Sequence, residues 1–528
     1  MPQQVFIIGI GGTGMRCIES FIHLCAMGMC DDTNVHMLAL DTDKENGNFT
    51  RLKDLKEAYL KTKGVNKNHS ALKETFFSAN LLYYQFSPDY SNISTFDAIF
   101  DYESTKYRNP DETAIADLLL TKAAKKFDLK HGYRAQTHLG SMLMYHSIIN
   151  DVLINERGDL KRFVQELITA STAGRPRIFI LGSVFGGTGA SSIPIIPKAI
   201  RKAASLISNA TDIEQNAFFG STILTSYFSF VLPSDDEKAK QKLIATSDKF
   251  SLNSQAAMMF YEADDTVKQT YQKFYMMGTE TLEWQPSKFK DKTITGGEDQ
   301  ENDSHYIELL AAFAAYDFFN VNELELKRLK DEKKLEYLYR TFDDNGKINF
   351  IDLVGSEKKE ELAKKFGLFT AMSYLTLLDK YDLFGQAQNG DLKKVKIDGY
   401  EDIDLEEVKN LKIYMGLYHF YFRNGIIKDG WLRQVHHSAG DGDKFLFSPT
   451  LFSAKSVKEL EKFEFNDSIY QKNSDFETKK FRTGVLGMGS LYNEFFSEFI
   501  KTPEPDITNK CEKLIKRTYD TLCKIYKF

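Results

Sequence analysis

Gly182-Ser183-Val184-Phe185-Gly186-Gly187-Thr188-Gly189-Ala190-Ser191 is the stretch whose reading decides the fold. It follows Arg177 to Leu181, an apolar run that reads as a buried strand. It precedes Ile193, Ile196, Ile200 and Ala204, whose spacing reads as a helix. Glycines between a strand and a helix let backbone amides approach an anion closely, and the helix N-terminus favours its negative charge. Thr188 and Ser191 add hydroxyls able to bond phosphate oxygens, while Gly186 and Gly187 leave room for a ligand. No Lys follows the glycines, so the loop is not of the Walker A type.

The N-terminus repeats the pattern. Val5 to Ile8 reads as a strand, Gly9-Ile10-Gly11-Gly12-Thr13-Gly14 as the loop, and Met15 to Met27 as the helix. Alone, this GxGGxG spacing fits a dinucleotide fingerprint as well as any other phosphate loop. Asp41-Thr42-Asp43, at the end of a second strand from Val35 to Leu40, does not separate the alternatives. A carboxylate there can accept a ribose hydroxyl or reach a magnesium ion through water. A dinucleotide fold needs one such loop and leaves the second, at 182 to 191, unexplained.

Composition bounds the rest. A chain of 528 residues, with 42% hydrophobic and 27% charged residues, is long enough for two or three globular domains. A net charge of −6 provides no overall basic field for nucleic acid or an anionic membrane. No basic and apolar leader opens the sequence, and no run approaches the roughly 20 apolar residues that span a bilayer. A cytoplasmic protein without membrane insertion is the expectation. The cysteines Cys17, Cys25, Cys30, Cys511 and Cys523 lack CxxC spacing, which argues against a disulfide framework and a zinc site. His436 and His437 are read as strand neighbours pointing to opposite faces, and no side chain is assigned to a metal.

Along the chain, residues 70 to 130 read as irregular helical insertions and Leu139 to Leu153 as a helix. Gly220 to Leu232 reads as a long strand, Asp235 to Glu262 as mainly helical, and Gln272 to Met277 as a short strand. Asp303 to Phe319 reads as a helix buried on most sides, and Glu323 to Lys334 as a solvated helical link. Alternating strands and helices imply a mostly parallel sheet covered on both faces. The expected domains are residues 1–320, which bind a nucleotide, and an α+β C-terminal domain, residues 321–528. In the latter, Leu362 to Tyr381, Gly484 to Ile500 and Cys511 to Tyr526 read as helices, and Leu411 to Arg423 as a strand.

In this order, the motifs resemble the tubulin/FtsZ superfamily, and within it the divergent bacterial tubulin-like proteins. GIGGTG at 9 to 14 is similar to that family's first phosphate loop, and Leu40-Asp41-Thr42-Asp43 to the "NTD" ending its second strand. Phe185 to Ser191 resembles its GGGTG(S/T)G clamp, with Phe185 in place of a glycine, which narrows the phosphate site. Gly132 to Gly140 occupies the place of the loop that senses the γ-phosphate. Asn302 stands where a helix-starting Asn or Asp contacts guanine, and helix capping is its plainer role.

The resemblance thus implies GTP or GDP with Mg2+, held by Gly11, Gly12, Thr13, Gly14, Asp41, Asp43, Thr137, Gly140, Gly186, Gly187, Thr188, Gly189, Ser191 and Asn302. It implies self-association, as a homo-oligomer or filament, and hydrolysis that is weak or completed in trans by an acid of the next subunit. Gly346 to Asp352 partly resembles the loop carrying that acid, which makes Asp352 a candidate. Glu308 is a second. Two other functions stay open: a scaffold that binds nucleotide without turnover and recruits proteins through residues 321–528, and an NAD(P)-dependent Rossmann oxidoreductase.

Overall fold

The computed structural model describes residues 3–64, 72–129, 133, 136–209, 212–229, 247–279, 297–340, 359–377, 405–423, 426–438 and 491–526. Gln3–Ile10 (β1), Thr33–Leu40 (β2), Asn80–Phe86 (β3), Arg177–Leu181 (β4), Phe218–Leu224 (β5), Lys273–Met277 (β6) and Glu336–Arg340 (β7) form one sheet. Its order is β3-β2-β1-β4-β5-β6-β7, and every neighbouring pair is parallel. The chain builds outward from β1 to β3, then returns to the other side of β1 with β4. The order therefore reverses between β1 and β4, and ligands of open parallel sheets bind at such a reversal.

Strand periodicity divides the core in two. Val5 and Ile7 of β1 face the first helix, Gly11–Ala26, and the central helix, Tyr306–Asn320. Phe6, Ile8 and Ile10 face the helices Thr137–Ile154, Asp159–Ala173 and Ile196–Ser208. All five side chains are at most 1% exposed, so the sheet is covered on both faces, as the sequence pattern implies. Each such apolar side chain contributes about 1.5–3 kcal/mol by leaving water.

Several expectations are corrected. Residues 70 to 130 are not wholly helical insertions, because β3 pairs along its length with β2 before four short helices between Phe96 and Lys126. β5 starts at Phe218 and ends at Leu224, shorter than the strand expected to reach Leu232. The segment Leu411 to Arg423 is mostly helix, Leu405–Tyr418, because Leu411, Tyr414, Met415 and Tyr418 recur at helical spacing and are all buried. Only Phe420–Arg423 (β8) is extended, paired antiparallel with Ile426–Asp429 (β9). His436 and His437 belong to the helix Trp431–Ser438, not to a strand.

Among the described residues, the C-terminal part also holds the helices Lys359–Leu377, Leu491–Lys501 and Lys510–Tyr526. Among the described residues no helix is long and apolar enough to cross a membrane, and no cluster of three or more His, Cys, Asp or Glu could hold a metal ion. No disulfide joins the five cysteines, and Cys17, Cys25, Cys30 and Cys511 are buried.

Candidate functional site at the β1 and β4 carboxyl ends

The two glycine turns meet. β1 and β4 are adjacent and end together, Gly9 lying opposite Leu181, and each runs directly into its turn. A β-carbon built on Gly11 would sit 3.9 Å from the Cβ of Thr188, so the turns face each other across a narrow gap. Thr42, just past β2, closes the third side, with its Oγ1 3.5 Å from Thr188 Oγ1.

Within each turn the glycines divide into two kinds. Gly9, Gly14 and Gly189 permit close packing, since added β-carbons would lie 2.5 Å from Ile18 Cδ1, 2.5 Å from the Leu181 carbonyl oxygen and 2.2 Å from the Ser183 carbonyl oxygen. Gly11, Gly12, Gly186, Gly187 and Thr188 are partly exposed and line the gap. Gly11 also adopts φ +68°, a conformation costly for residues with a side chain.

Both turns open helices without the usual caps. The first helix has Ile10 at its N-cap, and the helix Gly187–Ser192 has Gly186. Neither receives a side-chain cap, and neither has an acid in its first turn. The N–H groups at such ends need an acceptor, and an anion supplies one.

The carboxylates beside the gap are already engaged. Asp41 is buried; its Oδ1 accepts from the Thr42 amide at 2.7 Å and its Oδ2 from Asn46 Nδ2 at 2.7 Å. Burial pushes its pKa up to about 6, helped by Asp43 and opposed by Asn46 and the amides of Asp43 and Thr42. Asp43 accepts from the amides of Glu45 at 3.0 Å and Gly297 at 2.6 Å. Together they fasten the loop after β2 to the segment leading into the central helix. Asn46 and Asn48 extend that seam, donating to Gln300 Oε1 at 3.0 Å and to its carbonyl at 2.8 Å.

Asn302 lies on the same segment and is 9% exposed, but it does not cap the central helix. His305 does: its Nδ1 accepts from the Ile307 amide at 3.1 Å, while Glu308 Oε2 accepts from the His305 amide at 2.9 Å. Arg51 takes the Asn302 carbonyl at 2.7 Å and binds Glu19 on the first helix at 2.8 Å.

Glu308 lies inside the core, fully buried. Arg16 Nε donates to its Oε1 at 2.6 Å, and so does the Tyr227 hydroxyl at 2.6 Å. Burial raises this carboxyl, opposed by Arg16, Tyr227 and the His305 amide. Burial opposes charge on Arg16 as well, yet Glu308 and Tyr227 hold its pKa above the usual value. The pair is ionic. Asp352 lies outside the described residues, as do Gly132, Arg134 and Ala135.

The segment at Thr137 to Gly140 reaches the second turn from behind. An added β-carbon on Gly140 would lie 2.7 Å from Ser191 Oγ, and Ser141 Oγ donates to the Ser191 carbonyl at 2.7 Å. Ser191 is itself fully buried, its hydroxyl donating to the Thr188 carbonyl at 3.0 Å. Thr13 is 8% exposed. Phe185 does not narrow the gap: its ring packs 4.7 Å from that of Phe250 and 5.3 Å from that of Phe228. Arg16, Asn46, Asn48 and Arg51 were not read as site residues from the sequence. The one signal available was the placement of Arg16 four residues after Gly12, on the same face of a helix.

No family model and no curated protein matches the sequence. Solved structures do match, each over 63% of this chain. TubZ of Clostridium botulinum phage c-st, with its C-terminal tail truncated, is 14% identical with a TM-score of 0.25. CetZ from Methanosaeta thermophila is 12% identical with a TM-score of 0.27. CetZ2 from Haloferax volcanii, solved as a GTPγS-bound protofilament, is 11% identical with a TM-score of 0.28. The matches span 67%, 59% and 64% of those chains, less than two thirds of either CetZ. At such scores the fold is read from the sheet itself. Two glycine turns meeting where a seven-stranded parallel sheet reverses its order, ahead of a buried central helix, give this chain a doubly wound, Rossmann-type α/β fold.

Proposed function

We infer that the chain binds a guanine nucleotide between the two glycine turns and that its self-association follows the nucleotide bound. One observation carries the reading: a β-carbon built on Gly11 would lie 3.9 Å from Thr188 Cβ, so two uncapped amide turns face each other across one narrow gap and can address one ligand from opposite sides. The exposed backbone of Gly11, Gly12, Gly186 and Gly187, with the Thr188 hydroxyl, would hold the phosphates. Mg2+ would neutralise phosphate charge beside Asp41 and Asp43. Both carboxylates are committed to the protein, so the ion would meet them through water rather than directly. Asn302, on the segment bound by Arg51, would contact the base.

Turnover by a lone subunit would be slow. Asp41, Asp43 and Glu308 are all held by other protein groups, so none is placed to orient an attacking water. An acid from a neighbouring subunit, Asp352 being the candidate, would complete the reaction. The same engagement favours a second reading, a scaffold that binds nucleotide without hydrolysis.

Thermal unfolding with GTP, GDP and NAD(P) tests binding. GTP should raise Tm, and a rise with NAD(P) alone would overturn the reading. Light scattering with and without GTP tests assembly, for which a monomer under both conditions is the refuting result. Phosphate release compared with Asp352→Ala separates hydrolysis from scaffolding.

A further inference from the structure

We propose that Arg16 is a binding residue of the same site, its Nη1 taking a phosphate oxygen of the ligand held by the Gly11–Gly12 turn. The inference rests on the nucleotide reading and adds the cation that the glycine turns lack. Arg16 lies one helical turn after Gly12, and helical side chains lean back over the residue four positions earlier. With no side chain on Gly12, the guanidinium lies over the turn itself: a β-carbon built there would be 3.5 Å from Arg16 Nη1.

The other guanidinium nitrogens are spoken for. Nε donates to Glu308 at 2.6 Å and Nη2 to the Tyr227 hydroxyl at 3.3 Å. Nη1 has no acceptor among the described residues, although Arg16 is only 2% exposed. Nη1 keeps contact with solvent rather than being sealed in the core, and the uncapped amides beside it select an anion. Glu308 and Tyr227 fix the plane of the group, so the free nitrogen is preorganised toward the turn.

The same arrangement ties occupancy to the central helix. Glu308 uses one oxygen for Arg16 and the other for the His305 amide at the N-cap. Phosphate on Nη1 shares the guanidinium charge with Glu308 and thereby alters the strength of that cap.

Replacing Arg16 alone would strand the buried Glu308 carboxylate, so the test removes both charges together. Isothermal titration with GTP and with guanosine compares wild type, Arg16→Lys and the double variant Arg16→Met/Glu308→Gln, with near-ultraviolet circular dichroism checking the fold. The double variant should lose about 10- to 100-fold in GTP affinity, the value of one charge-assisted hydrogen bond, with guanosine affinity unchanged within 2-fold. Arg16→Lys should retain part of the GTP affinity. Equal weakening for GTP and guanosine, or no weakening for either, would overturn the assignment and leave the nucleotide reading standing. A wild-type protein that binds neither ligand would instead remove the nucleotide reading, and the assignment with it.

Discussion

The first and second glycine turns do the same geometric task with opposite backing. Behind the first lies a buried ionic group, Arg16 with Glu308, completed by Tyr227 and the cap at His305. Behind the second lies an apolar one, where Phe185 packs among Tyr227, Phe228 and Phe250 and Tyr261 holds the Ala190 carbonyl at 2.6 Å. Tyr227 belongs to both. The contrast teaches that a glycine motif specifies only the space in front of a turn, while distant residues decide what holds it rigid.

The ionic side should break hardest. Glu308→Ala leaves Arg16 charged and buried without its partner, and urea denaturation should show a loss of about 3–5 kcal/mol. A loss below about 1 kcal/mol would mean that the first turn does not depend on the pair.

Next come the packing glycines. Gly14→Ala and Gly189→Ala drive a methyl group into backbone carbonyls and should each cost about 2–3 kcal/mol in the same assay. Equal tolerance at both positions would dissolve the division between packing and lining glycines.

The lining residues should act on the ligand rather than on the fold. Thr188→Ala, which removes one neutral hydrogen bond, should weaken GTP about 3- to 10-fold with Tm preserved, and Gly187→Val should weaken it at least as much. Unchanged affinity in both would show that the gap is not where the nucleotide sits. The smallest effect belongs to Gly186→Ala, whose new methyl group meets only Ser183 Oγ at 3.6 Å. Its stability should stay within about 0.5 kcal/mol of wild type.

What was legible in the sequence follows from how local each signal is. Arg177–Leu181 was delimited correctly because a continuous apolar run ends abruptly at glycine, and the glycine turns announced themselves by composition. β3 is not legible: it is an edge strand whose burial breaks the period of two, Leu82 and Tyr83 both being half-exposed. Leu411 to Arg423 reads as a strand because its aromatic and β-branched residues favour extended structure, while the apolar spacing of its first part is helical and belongs to Leu405–Tyr418. The partners of Arg16 lie 211 and 292 residues away, so its spacing from Gly12 is the one nearby mark that it is more than a helix surface residue. Phe185 misled for the same reason, since the direction of a ring is set by neighbours more than forty residues downstream.

β7 carries a consequence for the order in which the molecule can be made. It joins the sheet only after the central helix, and Lys273 on β6 then donates to Glu336 on β7 and to Glu325 in the helix between. A ribosome that has just released residue 320 would have supplied both glycine turns and six of the seven strands, yet β6 would present a bare row of backbone groups to any passing chain. When β7 pairs, that open edge passes from β6 to β7, so the last strand made becomes the rim of the finished sheet.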